Sequence, residues 1–108
     1  MPEGNNKDSS DPEKVFVIEE LIINVPRHEV SVAGENITLT LKEFELLRAL
    51  AENRGRVLAR VRLLDIVWGY EYSGETRTVD VHIRYLRRKL GDAGRLIATV
   101  RGLGYKLL

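Results

Sequence analysis

The chain of 108 residues contains no cysteine. That excludes disulfides and any cysteine-ligated zinc, and with it a zinc finger; it is also compatible with a cytosolic setting. The only two histidines, His28 and His82, are isolated, and neither has a second ligand at metal spacing. No apolar run approaches the roughly 18 residues of a membrane span. The N-terminus is polar and acidic, so it is not a signal peptide. A glycine-lysine phosphate loop is missing, and Gly102-x-Gly104 lacks the βαβ context before it and the helix after it that a nucleotide loop needs. An enzyme therefore fails for want of parts, and no catalytic residue, metal or cofactor is expected.

What is present fits one small soluble domain: 44% of residues are hydrophobic, enough for a modest core. The formal charge of +1 conceals a split. Residues 1–55 hold 6 Lys/Arg and 11 Asp/Glu, net −5, whereas residues 56–108 hold 11 and 5, net +6. Such asymmetry suggests that one half meets a polyanion and the other does not.

Residues 1–14, with Met1 as the only apolar side chain and two prolines, read as a disordered tail or linker; the domain proper is expected over 15–108. Residues 15–39 read as short antiparallel strands, with Phe16, Ile18, Leu21 and Ile23 as apolar positions. Turns are expected over 24–28, with His28 on the surface, and over 33–36. A capping box, Thr40-x-x-Glu43, opens a helix over 40–53, with Leu39 and Phe44 at its staple positions. Its predicted core stripe is Leu41, Phe44, Leu47, Leu50 and Ala51. A shorter helix follows over 60–68, with Leu63, Leu64, Val67 and Trp68 apolar. Ala59 at its N-cap has no side-chain oxygen to offer. Gly69–Glu75 is an aromatic, glycine-containing loop. Leu96–Val100 and Tyr105–Leu107 read as strands flanking a hairpin tip, Arg101–Gly104.

The richest stretch is residues 76–90, TRTVDVHIRYLRRKL. Val79, Ile83, Leu86 and Leu90 recur at spacings of 4, 3 and 4, one apolar stripe on a helix. Arg77, Thr78, Val81, Arg84, Tyr85 and Arg88 fall on the opposite side, with no carboxylate among them. Asp80 sits to the side of the stripe. A helix fits the DNA major groove, and arginine pairs bidentately with guanine or holds phosphate. A solvated basic face is the bland alternative, but ordinary solvent faces mix signs. Three helices after an N-terminal sheet and before a hairpin describe a winged helix-turn-helix. In that arrangement Arg101 can enter a minor groove.

RTVDVHIRYLRRKL followed by VRGLGYKL resembles the effector domain of OmpR/PhoB-type response regulators, and LTLKEFELLRALAENRGRVLARVRLLDIVWG resembles the first two helices of that family. The resemblance covers residues 16–108. It implies an α+β fold: an antiparallel four-stranded sheet, three helices and a C-terminal β-hairpin wing. It implies sequence-specific binding of double-stranded DNA, in transcription regulation by a bacterial, cytoplasmic two-component pathway. Helix 76–90 would lie in the major groove and wing 96–107 at the minor groove. Carried over by position, Arg77, Val81, His82, Arg84, Tyr85 and Arg87 match the DNA-contacting helix and Arg101 matches the wing arginine; Thr78 and Arg88 join them from the helical projection. Tyr70, Glu71, Tyr72, Ser73, Gly74 and Glu75 match a loop that touches RNA polymerase in some members. Tyr85 stands where many members have arginine, so no base preference transfers. A receiver domain, which would need about 120 further residues, is not in this sequence; it and a sensor kinase are partners the resemblance implies. The domain is expected to be monomeric alone and to pair head-to-tail on tandem DNA half-sites. The competing reading is a winged-helix protein-interaction module, because fold does not fix function.

Overall fold

A computed structural model describes residues 14–69 and 74–108. The tail expected over 1–14, save Lys14, lies outside the described residues. So do Tyr70, Glu71, Tyr72 and Ser73 of the aromatic loop.

The chain opens with a meander of four antiparallel strands, β1 (Val15–Ile18), β2 (Leu21–Asn24), β3 (Glu29–Val32) and β4 (Glu35–Ile37), in that order across the sheet. Alternation decides the faces. Phe16, Ile18, Leu21, Ile23 and Val30 point into the core, while Val15, Val17 and Ile22 are exposed. The turn expected over 33–36 is tighter than that: Ala33 and Gly34, both at positive φ, join the strands, and Glu35 and Asn36 already belong to β4. Two central residues with positive φ suit a hairpin because they match the twist of the flanking strands.

Helix α1 (Leu41–Glu52) begins as the capping box requires: Thr40 Oγ1 accepts from the Glu43 N–H, and Glu43 Oε1 accepts from the Thr40 N–H at 2.9 Å. Its core stripe differs from the expected one. Leu41 is 58% exposed, while Leu46 and Ala49 are buried beside Phe44, Leu47, Leu50 and Ala51. The helix is covered on more than one side, so its buried arc is far wider than a single stripe. Leu41, in the first turn, lies opposite the middle of that arc.

A two-residue strand, β5 (Leu58–Ala59), leads into α2 (Arg60–Trp68). Ala59 gives α2 no side-chain cap, as its chemistry dictates. At the other end Lys42 of α1 donates to the Val67 carbonyl at 2.9 Å, satisfying part of the carbonyl end of α2. Helix α3 (Arg77–Leu90) runs into a 3-10 helix (Gly91–Leu96), then β6 (Ile97–Val100) and β7 (Gly104–Leu107). Strand β7 is the middle of a second sheet, between β5 and β6. The expected hairpin is thus one part of a three-stranded wing sheet. Gly104 explains why the third strand fits: a Cβ there would lie 2.0 Å from the Leu58 carbonyl oxygen.

One hydrophobic core joins the meander, all three helices and the base of the wing sheet. Val79, Ile83, Leu86 and Leu90 are essentially inaccessible, as their spacing predicts. Each such side chain stabilises the fold by about 1.5–3 kcal/mol relative to exposure. Packing therefore sets which side of α3 faces outward.

Candidate nucleic-acid interface

With the apolar stripe seated, α3 has three remaining sides. Residues 80 and 87 are seven apart, about two turns, so they share one flank. This flank faces the wing. Asp80 Oδ1 accepts from Arg60 Nε at 2.7 Å and from the Tyr105 hydroxyl at 2.6 Å. Arg87 Nη2 donates to the Ile97 carbonyl and to Thr99 Oγ1, both at 2.7 Å, and its Nε reaches the same carbonyl at 3.1 Å. Burial disfavours the Asp80 carboxylate, but the hydrogen bonds from Tyr105 and Arg60 outweigh it and hold its pKa below the usual value. Burial and the neighbouring Asp80 push the Tyr105 hydroxyl up.

The opposite flank faces α1 and α2. His82 Nδ1 donates to the Thr78 carbonyl at 2.9 Å, and the ring meets Trp68 edge-on at 4.9 Å. Lys89 Nζ donates to Glu43 Oε1 at 2.8 Å. Glu43 is the buried charged residue of the core, 3% exposed. Its burial opposes ionisation, yet the bonds from Lys89 and the Thr40 backbone dominate and lower its pKa. The carboxylate that caps α1 therefore also anchors the last turn of α3.

The third side is the outer face. Arg77, Val81, Arg84, Tyr85 and Arg88 are exposed, and Thr78 is half-buried at its edge. Arg88 lies over the Tyr85 ring, 5.7 Å from its centroid. Arg77 feels the Asp80 carboxylate only as a nearby charge. Among the described residues, nothing hydrogen-bonds or ion-pairs with the Arg84 guanidinium. The same holds for Arg101 at the exposed wing tip, where Gly102 takes φ of 77° to close the turn. The outer face of α3 and the wing tip thus offer guanidinium groups whose donors are not spent inside the protein.

Of the residues expected to contact DNA, Arg77, Thr78, Val81, Arg84, Tyr85, Arg88 and Arg101 lie on these surfaces. Arg87 and His82 do not share them: both are half-buried flank residues with partners inside the chain. The sequence puts Asp80 beside the stripe without revealing its partners, and its spacing of seven to Arg87 is the signal that pairs the two. His28 is a turn residue, as expected, and its exposed ring stacks on Phe44 at 4.4 Å. Of the loop 69–75, Gly74 and Glu75 are described and exposed. A groove of about 480 Å3 between α1 and α2 is lined by paired charges, Lys42 with Glu45 and Arg48 with Glu52. Among the described residues no group of three His, Cys, Asp or Glu side chains is placed to hold a metal ion. None of their helices is long and apolar enough to cross a membrane.

Helix α3 set across α2, with a sheet-borne wing beside it and a four-stranded sheet behind, is a winged helix-turn-helix. Residues 34–107 match the sequence model of the family "Transcriptional regulatory protein, C terminal", and the chain belongs to that family. It is 49% identical over 107 residues to the sensory transduction protein RegX3 of Mycobacterium tuberculosis, covering 96% of this chain and 47% of that protein. It is 47% identical over 89 residues to the transcriptional regulatory protein PrrA of the same organism, covering 81% of this chain and 38% of that one. The chain thus spans about half the length, or less, of these curated relatives. The DNA-binding domain of Klebsiella pneumoniae RstA, solved in complex with the RstA box, superposes with a TM-score of 0.77 at 36% identity, covering 87% of this chain and 96% of that one. The response regulator DrrB of Thermotoga maritima, an OmpR/PhoB homologue, superposes with a TM-score of 0.79 at 34% identity, over 86% and 43%.

Proposed function

We propose that this chain is the DNA-reading effector domain of an OmpR/PhoB-type response regulator and acts in transcription control. One observation carries the reading. Arg77, Arg84 and Arg88 stand exposed on the face of α3 that lies opposite its core stripe, without a carboxylate on that face. The RstA domain, of the same fold and family, was solved with its DNA box. Helix α3 enters the major groove, where arginine forks match guanine O6 and N7 or grip phosphate. Arg101 at the wing tip enters the adjacent minor groove, where narrow A·T tracts concentrate negative potential. Thr78, Val81 and Tyr85 supply the polar and apolar contacts between the arginines. Arg87 and His82 support the helix from its flanks.

No catalytic role is proposed. In the longer protein a receiver domain and its sensor kinase would control this domain. Loop 69–75, with Glu71 and Glu75, suits a protein partner such as RNA polymerase better than phosphate. The isolated domain would be monomeric and would pair head-to-tail on directly repeated half-sites.

Selection of bound sites from random duplexes tests the reading, followed by titration of the selected duplex at several salt concentrations. With about six to eight phosphates neutralised, log affinity should fall with log salt at about −0.9 per phosphate. A slope near zero on duplex DNA would leave the protein-interaction reading in its place.

A further inference from the structure

The polar network on one flank of α3 does more than hold the fold. Tyr105 is its hub. Its hydroxyl donates to Asp80, and its ring lies 5.6 Å from the Arg87 guanidinium and 6.0 Å from that of Arg60. Asp80 belongs to the first turn of α3 and Arg87 to its last turns; Arg60 opens α2; Ile97 and Thr99 lie on β6 and Tyr105 on β7. The network therefore ties both ends of the reading helix to both strands of the wing. Beneath it, Gly104 leaves no gap between β7 and the Leu58 carbonyl.

Hydrophobic burial is non-directional, whereas hydrogen bonds and a planar guanidinium fork impose distance and angle. The apolar base of the wing and its two-residue pairing with β5 hold the hairpin at one edge only, and leave its tilt against α3 to the polar contacts. The tilt matters because the working end stands beyond the network. Thr99 pairs with Tyr105, so Arg101 lies two residues past that level, about 7 Å along the hairpin. A rotation of about 15° at the base then moves the tip backbone by about 1.8 Å, roughly half the rise of one base step.

We infer that Asp80, Arg60, Arg87 and Tyr105 are positioning residues that set the angle between α3 and the wing, and so fix the register between major-groove and minor-groove contacts. The inference rests on the DNA-binding reading for its consequence, but the angle itself can be measured without DNA.

Tyr105→Phe removes the hydroxyl and keeps the ring. Thr99→Val, at an exposed position, removes one acceptor of Arg87 and leaves the core untouched, so it serves if the first variant folds poorly. In free protein, residual dipolar couplings of residues 97–107 relative to those of α3 should shrink in either variant while the helices keep theirs. Sites selected by the variants should keep the base preferences of α3 and lose preference and fixed spacing on the wing side. Affinity for the parent site should fall on the order of tenfold, with affinity for random duplex unchanged. Couplings that stay at parent values in both folded variants would overturn the inference. If the couplings shrink but no DNA is bound by the parent, the positioning role stands and the DNA-binding reading fails. Equal loss on specific and random duplex would reduce these residues to ordinary structural support.

Discussion

The four-stranded sheet and the three-stranded sheet differ in how far along the chain their strands reach for partners. In the first, each strand pairs with its sequence neighbour, through short turns at residues 19–20, 25–28 and 33–34. In the second, Leu58 and Ala59 pair with Tyr105 and Gly104 across α2, α3 and the 3-10 helix. The first sheet hangs together by alternation and local turns. The second is closed by backbone contact, a side-chain network and the packing of α3. The proposed DNA contacts concentrate on the second, since its tip and the adjoining helix carry Arg101 and Arg84, which are not engaged among the described residues. On the proposed reading, the strand assembled at long range is the one that must stand at a set angle to α3.

The largest expected effect follows from that closure. Gly104→Ala drives a methyl into the Leu58 carbonyl and should destabilise the fold by about 2–3 kcal/mol, by overpacking. Ser31→Ala on the outward side of the meander should stay within about 0.5 kcal/mol. Urea unfolding of both variants checks the contrast, and similar losses would show that the two sheets are equally tolerant.

A second comparison removes one positive charge from each region. Arg84→Ala on the outer face of α3 should cost about 1–3 kcal/mol in binding the selected duplex and relax one base position, provided Arg84 pairs with a guanine. Uniform weakening across sequences would instead assign it to phosphate. Arg27→Ala, at a turn of the meander where Arg27 pairs with Glu29 at 3.1 Å, should leave binding unchanged. Equal losses would mean that net charge, not position, governs the interaction. Competition with single-base variants of the duplex decides among these outcomes.

The smallest effect is at the seam between the acidic and basic halves. Arg95, in the 3-10 helix, donates to Glu20 at 2.6 Å and to Glu19 at 2.8 Å, both in the first hairpin turn of the meander. The hydrogen bond from Arg95 brings the Glu20 carboxyl down from 4.5 to about 2. A pKa lowered by folding means stability that is present above the unfolded value and lost as pH falls. The window runs from 4.5 to about 2. Glu20→Gln should therefore flatten the acid limb of stability in that range and change little at neutral pH, because the pair is solvent-screened. Urea unfolding at a series of pH values measures it; an unchanged acid limb would show that the pair contributes nothing.

Much of this architecture is legible along the chain because its causes are local. The stripe Val79, Ile83, Leu86, Leu90 needs only the helical period to identify a buried side, and the capping box at Thr40 and Glu43 needs only three residues. Leu41 shows where periodicity stops helping. A helix covered on more than one side has no single stripe, and its N-terminal leucine is left outside. Strand β5 carries no pattern at all, because two residues cannot alternate; it exists because Gly104 lets a distant backbone approach. Arg87 and Arg84 are chemically identical and three residues apart. Their neighbours in space separate them: Ile97 and Thr99 accept from one, while the other faces outward.

Sequence alone thus determined the order of the main elements apart from β5 and the 3-10 helix, the inward side of β1, β2 and α3, the cap of α1, and a basic half set against an acidic one. These follow from dihedral periods, hydrophobicity and charge, which each residue carries wherever it goes. Tertiary structure decided which arginines are spent within the protein and which remain for a partner, that Glu43 serves two helices at once, and how the wing is held to α3. Those outcomes depend on distances between groups remote in sequence, and hydrogen bonds and ion pairs form only once packing has fixed those distances.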